Sequence, residues 1–493
     1  MNDVQTAKAM EEEMLSDLLW LSPYGALVLA AIGAVVLALA LPRHRQGLVG
    51  AYVAGAHLSA AALAAGVWLD RGFRSTMSGT VVVDGLALAI VGILGVSGAV
   101  TVALARPTVA GTDREGEFYA VLAAASFAAA VLSSAGDIAL IALSLGLLSL
   151  SSFILAGYLR GSLRGNEAAL KYYIYGTVAG AAMVYGLSFW FGLAGSTELG
   201  AIGRALPDAP VGMVVVSTVL VVVGLGYKAS LVPFHFWTPD VYEGAPLPVT
   251  AYLSVLPKVA GLVALARVLP QALPDGSLGW PTAIAIVAAV TMTLGNLAAL
   301  WQSNVVRLLA YSSIAQAGYL LMGVAAMDGS EAGLPALVYY LAAYAATNLA
   351  AFAVVLAVQR ESGSADVAAF AGLGRRHPWW TAALVLSFLS LLGLPPLAGF
   401  VGKLEVFLAA IDAGQAWLAV VAVLNTVVSL FYYLRVIAPA VLSPAAEDTG
   451  QPRAATAALA TALAVATVAT VALGVVAEPL LDLANGARLM GAR

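Results

Sequence analysis

The chain alternates between long apolar segments and short polar connections. Fourteen segments hold roughly 20 or more mostly apolar residues, the length that an α-helix needs to cross a bilayer. They lie at 19–41, 48–69, 79–104, 117–135, 137–159, 168–193, 211–236, 248–269, 280–301, 305–327, 332–358, 379–411, 415–440 and 455–476. They are too long for the strands of a membrane barrel and lack period-two alternation. The pattern therefore predicts an all-α polytopic membrane protein with about 14 transmembrane helices and disfavours membrane-spanning strands.

Two of these spans should be broken by proline. Pro233 follows Lys228 by five residues in span seven, and Pro395 and Pro396 lie in the middle of span twelve. Proline removes a backbone donor and clashes with the preceding turn, so each helix should kink or unwind there. Irregular backbone at membrane depth is tolerated only where protein or internal water satisfies it. We expect both breaks to face the interior of the bundle.

The positions of the breaks suggest an internal repeat. Span seven is the fourth of spans 4–8, and span twelve is the fourth of spans 9–13. Because five is odd, consecutive units would insert with opposite topology, as in many ion-translocating membrane proteins. The expected organisation is helices 1–3 in residues 1–116, a first five-helix repeat in 117–270, a second in 280–440, and helix 14 with a tail in 455–493.

The amino-acid composition excludes several classes of protein. Of the 493 residues, 61% are hydrophobic and 10% are charged, against about 25% charged in soluble domains. The net charge of −4 includes no basic run that could bind nucleic acid. The chain has no cysteine, and its four histidines lack metal-ligand spacing. We expect no cofactor or metal site in this chain, and the lipid bilayer as its surroundings.

The arginines predict an orientation. If both termini face outward, twelve arginines lie in inward loops (Arg43, Arg45, Arg106, Arg114, Arg160, Arg164, Arg307, Arg360, Arg375, Arg376, Arg435 and Arg453). Six then lie outside (Arg71, Arg74, Arg204, Arg267, Arg488 and Arg493). Since basic loops stay cytoplasmic, both termini should face outward.

Lysine follows a different distribution. Apart from Lys8, every lysine lies in an apolar stretch: Lys171, Lys228, Lys258 and Lys403. A charge near the bilayer centre costs from ~3 to ~10 kcal/mol or more, so such residues generally have a function. Unlike arginine, a buried lysine can both hold and release a proton. These lysines are candidates for a proton path.

Each candidate also has a structural interpretation. Lys171 can reach the interface, and Glu167 four residues earlier can pair with it. Lys228 and Lys258 lie too far from the ends of their spans to reach water easily, which favours function. Glu405 lies close to Lys403 in sequence.

The remaining polar candidates are His235, His57 and Asp84. His235 follows Pro233 at the first break and is either a proton-path residue or a packed side chain. We expect His57 to be a packed core residue and Asp84 to mark the outer end of span three.

Four segments carry a family resemblance: NEAALKYYIYG (166–176), PFHFWTPDVYEGAPLPVTAYLSVLPKVAGL (233–262), RLLAYSSIAQAGYLLMG (307–323) and LSLLGLPPLAGFVGKLEVF (389–407). Over about residues 80 to 440 the chain resembles the antiporter-like membrane subunits of respiratory complex I, the N type more than the L or M type. The resemblance implies fourteen helices with breaks in the seventh and twelfth. It also implies proton translocation driven by quinone reduction elsewhere, with Lys228, Lys258, Lys403 and Lys171 as the matching lysines.

The chain departs from that family at one position. The resemblance implies a glutamate in helix five that pairs with the helix-seven lysine, but Gly146 occupies the matching position. Another carboxylate substitutes for it, or the first half of the path works differently.

Three functions follow as hypotheses. The first is a non-redox proton-translocating subunit of a complex I-type NADH:quinone oxidoreductase in the bacterial plasma (inner) membrane. Its partners would be other membrane subunits, and NADH, FMN, iron–sulfur clusters and quinone would bind elsewhere in the complex. The alternatives are a free-standing or Mrp-type cation/proton antiporter and, because of Gly146, a spacer that has lost pumping.

Overall fold

Long apolar helices form most of the computed structural model, which describes residues 17–159, 161–444 and 456–490. The spanning helices are α1 Ser22–Ala40, α2 Gly47–Arg71, α3 Gly85–Val109, α4 Glu115–Ser133, α5 Ile138–Ala156, α6 Leu163–Ala194, α7a Val211–Ala229, α8 Leu247–Ala272, α9 Trp280–Ala299, α10 Val305–Ala326, α11 Gly333–Ser362, α12a Pro378–Leu392, α12b Ala398–Asp412, α13 Ala416–Leu442 and α14 Ala457–Val475. Shorter helices are Leu199–Ala205, α7b Trp237–Gly244, Leu373–Arg376 and α15 Glu478–Asn485.

The predicted number of crossings is confirmed. Within the described residues, 13 helices are long and apolar enough to cross a membrane, and Pro378–Leu392 is a shorter apolar helix. Together α12a and α12b form the remaining crossing, interrupted as the prolines predicted. The chain is therefore an all-α membrane protein whose seventh and twelfth crossings are discontinuous.

One connection contains two short strands that the sequence pattern did not predict. β1 (Arg74–Thr76) and β2 (Val81–Val83) form an antiparallel hairpin between α2 and α3, with Arg74 opposite Val83. β-branched valines favour the extended backbone of β2. Because the hairpin uses residues assigned to span three, that helix begins at Gly85 instead of 79, after Asp84 caps it by accepting from the Ala87 N–H at 2.9 Å.

Helix α8 lies in the centre of the bundle. Its apolar window is completely buried, and it packs against α3, α4, α7a and α11. By contrast, α1, α2 and α14 expose most of their surface. Any charged group inside α8 is therefore enclosed by protein.

Helices α4–α8 and α9–α13 have the same packing order. In each group consecutive helices pack together, and the first helix also packs against the fifth. In each group the fourth helix is the discontinuous one. This order is what a five-helix repeat requires.

Small residues permit close helix contacts at α2 and α3. A Cβ at Gly98 of α3 would lie 2.1 Å from Cδ2 of His57. His57 is fully buried and donates from Nδ1 to the Val53 carbonyl at 2.8 Å. It is a packed core residue, as its sequence position suggested.

The two ends of the described chain lie on one side of the bundle, which we call the terminal side. Asp17 pairs with Arg74 at 3.3 Å. The Met490 N–H donates to Asp84 at 3.2 Å, and Gln271 donates to the Met490 carbonyl. An even number of crossings requires this arrangement.

Arg267 belongs to the interior, although the sequence placed it in a loop. It donates two hydrogen bonds to Asp84, at 2.9 and 2.7 Å, and a third to the Ser133 carbonyl. Both side chains are at most 1% exposed. Arg267 therefore carries no information about orientation, whereas Asp84 marks the start of α3 as expected.

Candidate functional site

The break in α7 satisfies its own backbone. α7a ends at Ala229, Ser230 adopts a left-handed conformation (φ 61°), and the Leu231 N–H donates to the Gly226 carbonyl at 2.8 Å. The Val232 N–H donates to the Thr291 hydroxyl of α9 at 3.1 Å. A helix of the second group thus contributes to the break in the first.

The break in α12 has a related construction. α12a ends at Leu392, and Gly393 has φ 91°, a conformation that favours glycine. The Leu394 N–H donates to the Leu389 carbonyl at 3.0 Å. The Gly399 N–H at the start of α12b donates to the Ser390 hydroxyl at 3.0 Å. The peptide bonds preceding Pro233 and Pro396 are both cis.

Lys228 lies in the last turn of α7a, 1% exposed. Its ammonium donates to the Tyr172 hydroxyl at 3.2 Å and lies 5.1 Å from the Tyr172 ring centre and 5.7 Å from that of Phe153. Trp237 stacks on Tyr172 with 4.4 Å between ring centres. No described carboxylate forms an ion pair with Lys228. Aromatic faces, one hydroxyl and the negative end of its own helix dipole stabilise the cation.

Lys403 occupies a similar environment at the second break. It is 3% exposed, and its ammonium donates to the Leu392 carbonyl at the end of α12a at 2.9 Å. It also donates to Thr426 at 3.3 Å and lies 4.2 Å from the centre of the Tyr319 ring. Glu405 is half-buried and makes no hydrogen bond or ion pair with any described residue. The ammonium of each lysine therefore lies at the C-terminal end of a half-helix, which is its own helix α7a for Lys228 and the preceding helix α12a for Lys403.

Lys258 lies between these two sites, in the buried helix α8. Its side chain is 0% exposed and donates to the carbonyl of Ser313 at 2.6 Å and to the Ser313 hydroxyl. Tyr344 donates to the same hydroxyl at 3.1 Å, and the Tyr242 hydroxyl lies 3.3 Å away from it. Lys258 therefore joins a group of hydroxyls shared by α7b, α10 and α11.

Further buried polar side chains continue from this group toward Lys403. They form the hydrogen-bonded pairs Asn348–Ser254, Ser312–Tyr433, Tyr340–Gln316, Tyr432–Asn296, Asn296–Tyr319 and Thr426–Tyr319. Hydroxyl and amide groups can both donate and accept hydrogen bonds. The second group of helices thus contains a polar interior.

Charged side chains gather on the side of the bundle opposite the terminal side. Lys171 contacts Glu167 and Asp240, each at 2.7 Å, and Arg307 contacts Asp240 at 2.9 Å and Glu243 at 3.0 Å. They line a cavity of about 260 Å³. Burial opposes ionisation of Asp240, but hydrogen bonds from Lys171 and Arg307 hold its pKa below the ordinary value. The predicted Lys171–Glu167 contact is present, and Asp240 is an additional partner.

Two sequence-selected positions lie outside these contacts. His235 is buried in the connection between α7a and α7b, and no described side chain joins it to Lys228. Gly146 is exposed on α5, and a Cβ there would meet no atom within 4 Å. Gly146 lies two turns before Phe153 on the same stripe of α5, but its position is exposed and glycine brings no side chain toward the Lys228 ammonium.

Sequence reasoning had missed the residues that hold the lysines: Tyr172, Ser313, Tyr319 and Thr426. The available signal was polar or aromatic residues inside apolar spans, as in the segment 307–323. Spacing alone could not show which of them meets which lysine. Among the described residues, no three His, Cys, Asp or Glu side chains converge as a metal site would require.

Residues 135–429 match the model of the NADH:quinone oxidoreductase/Mrp antiporter transmembrane family. The chain belongs to this family. A relative from Streptomyces griseus, NADH-quinone oxidoreductase subunit N 1, is 40% identical over 88% of this chain and 90% of its own length. Subunit N 2 from Chloroherpeton thalassium is 46% identical over 65% of this chain and 64% of its own length, just under two thirds.

Solved structures of the family share the fold. A chain of respiratory complex I from Thermus thermophilus superimposes with a TM-score of 0.80 at 34% identity, covering 94% of this chain and all of the other. A chain of the Mrp complex from a Dietzia species superimposes with a TM-score of 0.85 at 24% identity, covering 95% of this chain and 97% of the other. The second likeness shows the fold alone.

Proposed function

We propose that this chain is a membrane-arm subunit of a NADH:quinone oxidoreductase and translocates protons without carrying redox chemistry. The observation that carries the proposal is the placement of Lys228 and Lys403. The ammonium of each lies buried against the C-terminal end of a half-helix, α7a for Lys228 and α12a for Lys403, and Lys258 lies between them in a helix without bilayer contact. Likeness to subunit N relatives supports the assignment to such a complex.

The path begins at the opposite side, which we take as the inner side, with both termini outward. The half-exposed charges Glu167, Lys171 and Asp240 form its mouth. Tyr172 follows Lys171 directly in α6 and receives the hydrogen bond from Lys228. One turn of α6 therefore carries both a residue of the mouth and the hydrogen-bond partner of the first buried lysine.

From Lys228 the proton passes to Lys258 and then to Lys403, which releases it outward. The hydroxyls around Ser313 and the polar side chains of the second group provide donors and acceptors between the last two lysines. His235 and Glu405 are further proton-path candidates, the first at the α7 break and the second beside Lys403. Inverted five-helix repeats would give each half of the path one break and one lysine.

The first half of the proton path works without the helix-five glutamate that the family pattern implies. In our proposal the faces of Phe153 and Tyr172 and the α7a dipole take its place at Lys228. NADH, FMN, iron–sulfur clusters and quinone would bind in other subunits. Cysteine ligands for such clusters are absent from this sequence.

The experiment replaces Lys228 and Lys403 by methionine, singly, and measures protons moved per quinone reduced in sealed vesicles. Methionine keeps the bulk of the side chain and removes the proton-carrying group. Arg43→Met is the control, because Arg43 is 78% exposed and pairs only with an exposed aspartate. We expect both lysine variants to lose coupled pumping while the control retains it. Unchanged coupling in both would overturn the proposal.

The alternative is a free-standing or Mrp-type cation/proton antiporter, with which the chain shares its fold. Purification under mild detergent separates the two functions. Co-isolation of flavin and iron–sulfur subunits supports the oxidoreductase, and sodium-driven proton exchange by the isolated chain supports the antiporter. The spacer hypothesis predicts that neither lysine variant alters pumping.

A further inference from the structure

An apolar crevice of about 800 Å³ lies away from the lysines, on the bilayer-facing surface. Helices α2 and α14 form its walls, α3 and α11 form its floor, and α15 with Trp68 closes it at the terminal side. Its interior side chains are mostly alanine, including Ala64, Ala89, Ala345 and Ala466. These small side chains leave α2 and α14 separated where larger ones would have filled the space.

The dimensions match one membrane leaflet. Along α3 the lining runs from Leu88 to Val100, about 18 Å at 1.5 Å per residue, and one leaflet of hydrocarbon is about 15 Å thick. Trp68 and α15 lie at its terminal end, and Val100 and Val465 at its deep end. The crevice therefore begins at the membrane surface and ends near mid-depth.

An extended hydrocarbon chain is much narrower than a helix, which is about 10 Å across, and it can lie along the full length of a crevice of this volume. The exposed lining residues Leu69 and Val465 belong to the bilayer-facing surface, so the crevice is continuous with the acyl region of the membrane.

The lining that the structure describes carries one charged side chain, at the mouth of the crevice. Asp482 on α15 is the charged residue among the lining side chains; it is exposed and forms no ion pair with any residue that the structure describes. Glu478 lies one turn away on the same helix. A carboxylate pair at this position attracts an amine and repels an anionic headgroup.

We propose that the crevice is a binding site for an amine-bearing zwitterionic phospholipid of the phosphatidylethanolamine class. One acyl chain lies between α2 and α14, and the headgroup amine lies against Asp482. The lipid completes the packing between the three N-terminal helices and α14. This site is independent of the proton path, since none of the buried lysines lines it.

The test counts lipid in the protein purified with whatever subunits accompany it. Ala342 and Ala469 are half-buried lining residues, and changing both to phenylalanine fills the crevice. Ala464→Phe, on an exposed position of α14 that does not line the crevice, is the control. We expect the double variant to retain about one phosphatidylethanolamine fewer per protein than the wild type and the control. Equal retention would overturn the proposal.

Two further measurements do not depend on the folding of that variant. Phosphatidylethanolamine with brominated chains should quench the fluorescence of the purified protein, and Trp68→Phe should remove about one tryptophan's share of the quenching. Asp482→Asn should abolish the preference for phosphatidylethanolamine over phosphatidylglycerol in retained lipid. Three outcomes would contradict the assignment. They are retention of anionic lipid by the wild type, a bound peptide at this position, and equal quenching with and without Trp68.

Discussion

The ammonium of Lys403 lies 4.2 Å from the centre of the Tyr319 ring, face-on to a side chain from a different helix. Tyr319 belongs to α10, whereas the backbone carbonyl that Lys403 contacts belongs to α12a. The position of the cation is thus defined jointly by a helix end and an aromatic face. Lys228 and Tyr172 repeat the arrangement at 5.1 Å.

Removing the aromatic face should weaken the site more than removing the hydroxyl. A buried cation–π contact contributes about 2 kcal/mol, so Tyr319→Leu should disfavour the Lys403 cation by up to roughly thirtyfold. Tyr319→Phe keeps the face and loses the contacts with Thr426 and Asn296. We expect coupled proton pumping to fall severalfold in the leucine variant and much less in the phenylalanine variant. Equal losses in both would assign the effect to the hydroxyl.

The Asp240 contacts should give stability that depends on pH. Because folding lowers the pKa of Asp240, its contribution is complete above the ordinary carboxyl range and is lost as pH falls below about 4. The side chain is 34% exposed, so solvent screening limits the effect to about 1 kcal/mol. Asp240→Asn should lower the thermal midpoint more at pH 7 than at pH 3, because part of the contribution is already lost at the lower pH. Asp113→Asn, in an exposed pair with Arg43, should leave the midpoint unchanged at both values.

The Asp84–Arg267 pair should be sensitive to the loss of one partner. Breaking a buried pair leaves an uncompensated charge and costs about 3–5 kcal/mol. Asp84→Asn should therefore lower the thermal midpoint of the detergent-solubilised protein strongly. The double variant Asp84→Asn, Arg267→Met removes both charges and should recover part of that loss. A double variant that is less stable than the single one would show that the contact of Arg267 with the Ser133 carbonyl outweighs the cost of its uncompensated charge.

Gly399 should tolerate no side chain at the second break. A Cβ there would lie 1.8 Å from the Ser390 carbonyl oxygen, and such overpacking costs about 1–3 kcal/mol or more. Gly399→Ala should separate α12a from α12b and reduce both stability and pumping. Gly180→Ala is the matched control, since a Cβ at Gly180 meets no atom within 4 Å. Similar losses in the two variants would exclude a local effect at the break.

Glutamate at position 146 tests whether Lys228 needs an acid from its own chain. Gly146→Glu meets no steric barrier, and its carboxyl would project from the exposed face of α5. We expect the variant to assemble and to pump with unchanged proton stoichiometry, because the aromatic residues already hold Lys228. A clear gain in pumping would show that the wild-type first half lacks a required carboxylate and would weaken the spacer hypothesis as well.

The pattern of apolar segments in the sequence was sufficient to predict the helices but not the contacts between them. The length of the apolar segments predicted the number of crossings, and Pro233, Pro395 and Pro396 predicted both breaks. Both predictions were possible because these features are local in sequence. The hairpin Arg74–Val83 was missed because a run of three valines reads equally well as the start of a helix. Arg267 was misplaced because its partner, Asp84, is 183 residues away.

The environment of the lysines depended on the same kind of distant pairing. Lys228 contacts Tyr172, which is 56 residues away in sequence, and Lys258 contacts Ser313, which is 55 residues away. The sequence alone indicates which residues are costly to bury, but the residues that compensate this cost come from other helices. The scarcity of lysine in the sequence therefore pointed to the candidate residues. The residues that surround them could be identified only from the packing of the helices.

The C-terminal ends of α7a and α12a contact the ammonium groups of Lys228 and Lys403, and these two half-helices run in opposite directions because they belong to crossings of opposite sense. A transmembrane voltage, worth about 2.3 kcal/mol per charge per 100 mV, is therefore aligned with one backbone dipole and opposed to the other. Rectification across this chain can arise from the antiparallel polarity of its two broken helices, with no need for the two lysines themselves to differ.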